Sequence, residues 1–329
     1  MYKENSMNVV NYIYRREKMN TRSFEGKTFL LKMWENYPRT WKFLIDLGIF
    51  LKYKTLNNSK IPNKIVLPTS NTIFVNSEEN RGRAMLISNG MTSKRLTNFW
   101  INAVNEYSPD LVIDVGVNYG ECIFSTNYPT HTQIYGIEAN RDLLTYIHQS
   151  REVHRNKAQI KIFNVFAADK EEEKTFYVDK HWSGTSSAAY RPTHHMIEQT
   201  IVSSVTIDSI VEEDVTNKNI LFKVDVEGYE AFVLRGMTEL IQKSASALGF
   251  IEFNSEYLEK SGVNLNDFLW FLQQHFSVYI YNKNDIVNGS QLTLSDLHKL
   301  FGSNYIHTDI ILVKNAINQI DLLQLSSAS

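Results

Sequence analysis

The chain has 329 residues, an ordinary composition and a formal net charge of −2, which gives length enough for one large α/β domain with an extension. That balance, with a sequence pI near 6.5, argues against a dedicated nucleic-acid binder, which carries a basic face. The single cysteine, Cys122, excludes an intrachain disulfide framework and a multi-cysteine metal site, and fits a reducing compartment.

Residues 1–22 are polar and read as a flexible leader. They lack the apolar core of a secretory signal, so a cytoplasmic protein is expected. The most apolar run, Phe43 to Leu51, contains Asp46 and falls far short of the ~20 residues that span a bilayer. From 23 to 106 the chain reads as an α-rich extension with short strands. Pro38 and Gly48 punctuate its first part into two or three short helices. Trp34, Tyr37, Trp41 and Phe43 read as helix-packing core in preference to a pocket cap or a homodimer face. One or two strands are expected between Ile65 and Ile87. A helix from Thr92 to Tyr107 buries Leu96, Phe99, Trp100, Ala103 and Val104 and stops at Ser108-Pro109.

From Pro109 onward strands and helices alternate, the pattern of a parallel sheet covered on both faces, and residues 107–316 read as one domain. Its first strand, Leu111-Val112-Ile113, is closed by Asp114. The turn Gly116-Val117-Asn118-Tyr119-Gly120 then leads into a helical-looking ECIFSTNY. The spacing D-x-G-x-N-x-G departs from the dinucleotide fingerprint G-x-G-x-x-G. An acid before the turn repels a pyrophosphate but suits a ligand carrying a positive charge and an amino group, such as S-adenosylmethionine; the alternative is a plain tight turn. A second strand, Gln133 to Ile137, ends in Glu138, which can accept from both ribose hydroxyls or merely be a solvated strand end. Strand three runs from Ile160 to Phe166 with Asp169 beyond it. Residues 174–179 and 201–207 form an inserted pair of strands around the loop HWSGTSSAAYRPTHH. Its His181, His194 and His195 read as solvated in preference to lid-borne; Trp182 and Tyr190 either stack on a ligand or pin the loop.

Strand four, Ile220 to Val224, opens LFKVDVEGYEAFVLRGM, with Asp225, Glu227 and Gly228 just past its carboxyl end, where open α/β sheets hold their ligands. Glu227 and Glu230 also fit a capping role in the helix that follows. Strand five, Gly249 to Phe253, carries Glu252, followed by Asn254. Neighbouring strand ends lie ~4.8 Å apart, so Asp225 and Glu252 suggest a base with raised pKa or an all-oxygen site for Mg or Mn made of Asp225, Glu252 and Asn254. The alternative has Asp225 capping the helix and Glu252 bonding backbone. An amphipathic helix from Asn264 to Phe276, strands at 278–281 and 308–313 and a tail at 317–329 complete the chain.

From about Arg83 to Lys314 the chain resembles the FkbM-type methyltransferases, a class I S-adenosylmethionine-dependent family, most specifically in IDVGVNYG and LFKVDVEGYEAFVLRGM. Val117 stands where the family usually has alanine. The resemblance implies a Rossmann-like, seven-stranded, mostly parallel sheet with helices on both faces and a final antiparallel hairpin strand. Carried over by position, Asp114, Gly116, Asn118 and Gly120 would wrap the methionine and sulfonium part of the cofactor, Glu138 would hold the ribose, and Ala168 and Asp169 would lie beside the adenine. The hallmark acids are Asp225, Glu227 and Glu230. The expected function is methyl transfer to a hydroxyl of a small or glycan-type acceptor, with Asp225, Glu252 and Glu227 as the candidate catalytic residues. The competing expectation is a non-catalytic cofactor-binding scaffold that recruits a partner through its aromatic N-terminal region.

Overall fold

The computed structural model describes residues 37–189, 196–283 and 285–315. The leader 1–22, Trp34, Tyr190, His194, His195 and the tail 317–329 lie outside these residues. The chain divides into two units, Met1–Leu44 and Ile45–Ser329. Of the first, residues 37–44 are described; they are helical from Pro38, and Tyr37 and Phe43 are exposed, in contrast to the packing core expected of them.

The second unit begins on the rest of that helix, which continues unbroken to Tyr53. Gly48 does not end it; the Ile87 side chain packs where a Cβ would stand. A hairpin follows, made of β1 (Lys64–Val66) and β2 (Thr72–Phe74). Two helices, Asn80–Ile87 and Lys94–Tyr107, then lead to the sheet. The second buries Leu96, Phe99, Trp100, Ala103 and Val104 as its spacing predicts, and Ser108 closes it in a left-handed conformation. Fully burying side chains the size of Phe99 and Trp100 stabilises by roughly 2–3 kcal/mol each.

The central sheet takes β3 (Leu111–Val115), β4 (Gln133–Ile137), β5 (Ile160–Phe163), β9 (Asn219–Val224), β10 (Ser246–Asn254), β11 (Ser277–Asn282), β12 (Asp285–Asn288) and β13 (His307–Lys314). Their order is β12-β11-β13-β10-β9-β3-β4-β5. From β10 to β5 every neighbour is parallel; β13 runs antiparallel to β10 and β11, and β12 to β11. The sheet therefore has eight strands where seven were expected, the addition being the four-residue edge strand β12, too short and polar to stand out in the sequence. Alternation along β3 and β9 divides the core. Leu111, Ile113, Phe222 and Val224 meet the helices after β9, whereas Val112 and Leu221 meet helix Lys94–Tyr107.

Strand three ends at Phe163, and the residues after it leave the sheet. β6 (Phe166–Ala167) pairs with β8 (Ile197–Val205), which pairs antiparallel with β7 (Glu173–Asp179), the inserted hairpin expected there. The helix after β9 is broken into Glu230–Arg235 and Thr238–Lys243. Gly236 sits against the Ala168 carbonyl, where a Cβ would collide, and the Asp208 carboxylate caps the second piece through the Glu239 and Leu240 amides. Among the described residues, no helix is long and apolar enough to cross a membrane.

Candidate active site

The first turn is built from backbone that few side chains tolerate. Gly116, Asn118 and Gly120 have φ of 81°, 51° and 87°, and a Cβ on Gly116 would collide with the Asp225 carbonyl oxygen. The Gly116 and Val117 amides donate to the Ile137 carbonyl at 2.9 and 3.2 Å. Glu138 fixes the middle of the turn: one carboxylate oxygen accepts from the Asn118 amide and the other from Asn140, each at 2.7 Å. Burial pushes the Glu138 carboxyl up, opposed by those two amides. Residues 121–124 form consecutive turns and 125–128 are bends and irregular chain, not the expected helix. Ser125 bonds its hydroxyl to the Cys122 carbonyl and Tyr128 bonds its own to Ile123, side-chain donors that replace the helical ladder.

Asp114 is fully buried beneath this turn, on the face of the sheet shared by its cross-strand partner Lys223. Burial pushes its carboxyl up and Lys223, at 3.3 Å, opposes. Ala168 is buried, its amide bonded to the Val205 carbonyl, and Asp169 is partly exposed beyond it.

The second turn follows β9. Its Asp225 amide donates to the Val115 carbonyl at 3.2 Å, which joins it to the end of β3. Glu227 and Gly228 have φ of 52° and 100°. Glu230, 1% exposed, closes the turn by accepting from the Val226 and Gly228 amides at 3.0 and 3.1 Å. Burial pushes its carboxyl up to about 8. With Glu230 so used, Asp225, Glu227 and Glu252 remain partly exposed, each with a carboxylate oxygen within 4.8 Å of the others'. Burial and the neighbouring Glu252 push Asp225 up against the pull of Lys223.

Glu252 is held from β13. His307 Nε2 lies 2.7 Å from its Oε1, and although burial disfavours an imidazolium, Glu252 pushes His307 up to about 9. In the same row Arg95 pairs with Asp309 at 3.3 Å. Asn254 does not join the acids. Its amide oxygen accepts from the Tyr257 amide at 3.3 Å and caps helix Ser255–Lys260. The clustered carboxylates are Asp225, Glu227 and Glu252, and the Asn254 oxygen expected beside them is engaged in the helix cap.

The segment before β3 roofs the first turn. Glu79 accepts from the Arg81, Gly82 and Ser183 amides and from the Tyr119 hydroxyl at 2.9–3.0 Å. Glu121 gathers Thr92, Ser93, Thr97 and Arg81, and the Arg81 guanidinium lies 5.6 Å from the Trp182 ring. His181 is buried, its Nδ1 3.2 Å from the Asn80 amide nitrogen, so it is not the solvated loop histidine expected. Lys223 carried a signal in the sequence, a lone cation in an apolar strand; His307 carried none, since only strand pairing brings it to Glu252.

The Methyltransferase FkbM domain profile matches residues 114–284, over half of the chain. No curated protein sequence matches. Among solved structures, the methyltransferase FkbM of Methylobacillus flagellatus is 13% identical, covers 62% of this chain and has a TM-score of 0.37; the match spans 44% of that protein's length. The precorrin-6y C5,15-methyltransferase of Geobacter metallireducens is 11% identical over 68% of this chain and 89% of its own, with a TM-score of 0.36. The O-methyltransferase of Bacillus cereus, in complex with SAH, is 8% identical over 68% of this chain and 82% of its own, with a TM-score of 0.36. By the profile match, which begins at Asp114 and takes in both turns, this chain belongs to the FkbM methyltransferase family.

Proposed function

We propose that the chain moves a methyl group from S-adenosylmethionine to a hydroxyl of a small or glycan-type acceptor. The observation that carries this is the contact of the two turns: Gly116 lies against the Asp225 carbonyl, so a cofactor on the first turn has the acids of the second beside it. In this reading the 116–120 turn holds the methionine end and Glu138, its second lone pairs still available, holds the ribose; Ala168 and Asp169 border the adenine. Methyl transfer from a sulfonium is an in-line displacement, and holding the acceptor oxygen in line at ~3–3.5 Å supplies several kcal/mol of barrier reduction. A neutral hydroxyl must also lose a proton. Asp225, with its carboxyl pushed up by burial, is the better-matched base, and His307 keeps Glu252 ionised beside it.

The same three carboxylates offer the hard oxygen donors that Mg or Mn prefers; such an ion would bind the acceptor hydroxyl and ease its deprotonation. Transfer of labelled methyl groups to a panel of sugars and glycosides, with and without chelator, tests the proposal. Label in an acceptor hydroxyl is expected, and loss of activity in chelator with recovery on adding Mg or Mn would place an ion at the acids. Label on nitrogen or carboxyl groups alone would replace the hydroxyl acceptor.

A further inference from the structure

Lys223 is 4% exposed and reaches both turns from β9. Its ammonium donates to the Gly116 carbonyl at 2.7 Å and lies 3.3 Å from Asp114 Oδ1 and 3.6 Å from Asp225 Oδ2. These three partners come from the cofactor turn, the end of β3 and the acid motif. A buried cation is tolerated only when its partners hold it, and removing one member of such a group leaves an uncompensated charge. We propose, resting on the cofactor reading above, that Lys223 is the positioning residue that locks the cofactor turn to Asp225 and sets the charge beneath the sulfonium. The lysine offsets one charge of the two acids it touches; without it that charge would stand uncompensated, and the turn would lose its hold on Gly116.

Two effects then separate. Loss of the hold on the turn weakens every ligand of it, whereas the added negative charge favours S-adenosylmethionine, which carries a sulfonium, over S-adenosylhomocysteine, which does not. Titration calorimetry of the full chain with both compounds reads both effects. Lys223→Met is expected to weaken S-adenosylhomocysteine binding more than tenfold and to shift the affinity ratio at least threefold toward S-adenosylmethionine. Lys223→Arg, which keeps the charge, is expected to hold the wild-type ratio. If Lys223→Met does not fold, the charge-balanced pair Asp114→Asn with Lys223→Met carries the measurement, and its ratio must equal the wild-type one. Wild-type affinities in Lys223→Met, an equal loss for both compounds, or a changed ratio in the balanced pair would overturn the assignment. A wild-type chain that binds neither compound would instead overturn the cofactor reading itself, and with it the role of Lys223.

Discussion

The turns after β3 and β9 are built alike and used differently. Each forces positive φ at two or more residues, and each is closed by a buried glutamate that accepts two backbone amides, Glu138 for the first and Glu230 for the second. The first turn borrows its glutamate from the next strand and hides its own acid, Asp114, on Lys223. What it presents is backbone and the rim of Glu138. The second closes on a glutamate of its own motif, which leaves Asp225 and Glu227 facing outward beside Glu252. In the proposed reading one turn holds the ligand and the other acts on it. The closing acid, more than the glycines, decides which.

Breaking the shared geometry should cost most. Gly116→Ala puts a Cβ into the Asp225 carbonyl at positive φ and should destabilise the chain by about 3 kcal/mol, with cofactor binding lost; urea unfolding and calorimetry would show it, and near-wild-type values would refute the contact. Asp225→Asn separates the turns functionally. It should leave S-adenosylhomocysteine affinity within about twofold while slowing turnover roughly a hundredfold, the scale of a lost general base; wild-type turnover on an identified acceptor would remove Asp225 from the chemistry.

Smaller effects sharpen the contrast between the closing acids. Glu230 has its carboxyl raised to about 8 from the ordinary 4.5, so between those values the folded chain keeps a proton that the unfolded chain releases. Stability therefore falls as pH rises through that window. Glu230→Gln is neutral throughout and should flatten the fall by about 3 kcal/mol, read from urea unfolding between pH 5 and 8; an unchanged slope would mean Glu230 is ionised in the fold. Asn254→Ala should cost only about 1 kcal/mol, the value of a helix cap, and leave turnover intact. A large loss of turnover would return Asn254 to the acid cluster.

Both turns were legible in the sequence because apolar strands ending in acid and glycine leave few other conformations, and the parallel core of the sheet followed from the spacing of those strands. What failed was local. ECIFSTNY has helical spacing, yet Ser125 and Tyr128 spend their hydroxyls on backbone carbonyls. Asn254 looks like a third ligand until its oxygen is found on the Tyr257 amide. His307 and Glu79 reach the site only through strand pairing and a helix cap, long-range contacts with no motif of their own. Lys223 could have been found, since a lysine inside LFKV must have buried partners.

The most direct test is titration calorimetry of wild type and Glu138→Ala with S-adenosylhomocysteine and with NAD. Glu138 joins the first turn to the ribose in this account, so micromolar binding of S-adenosylhomocysteine, weakened at least tenfold in the variant, and no binding of NAD are predicted. Unchanged affinity in Glu138→Ala, or a preference for NAD, would contradict the assignment of the first turn as the S-adenosylmethionine site.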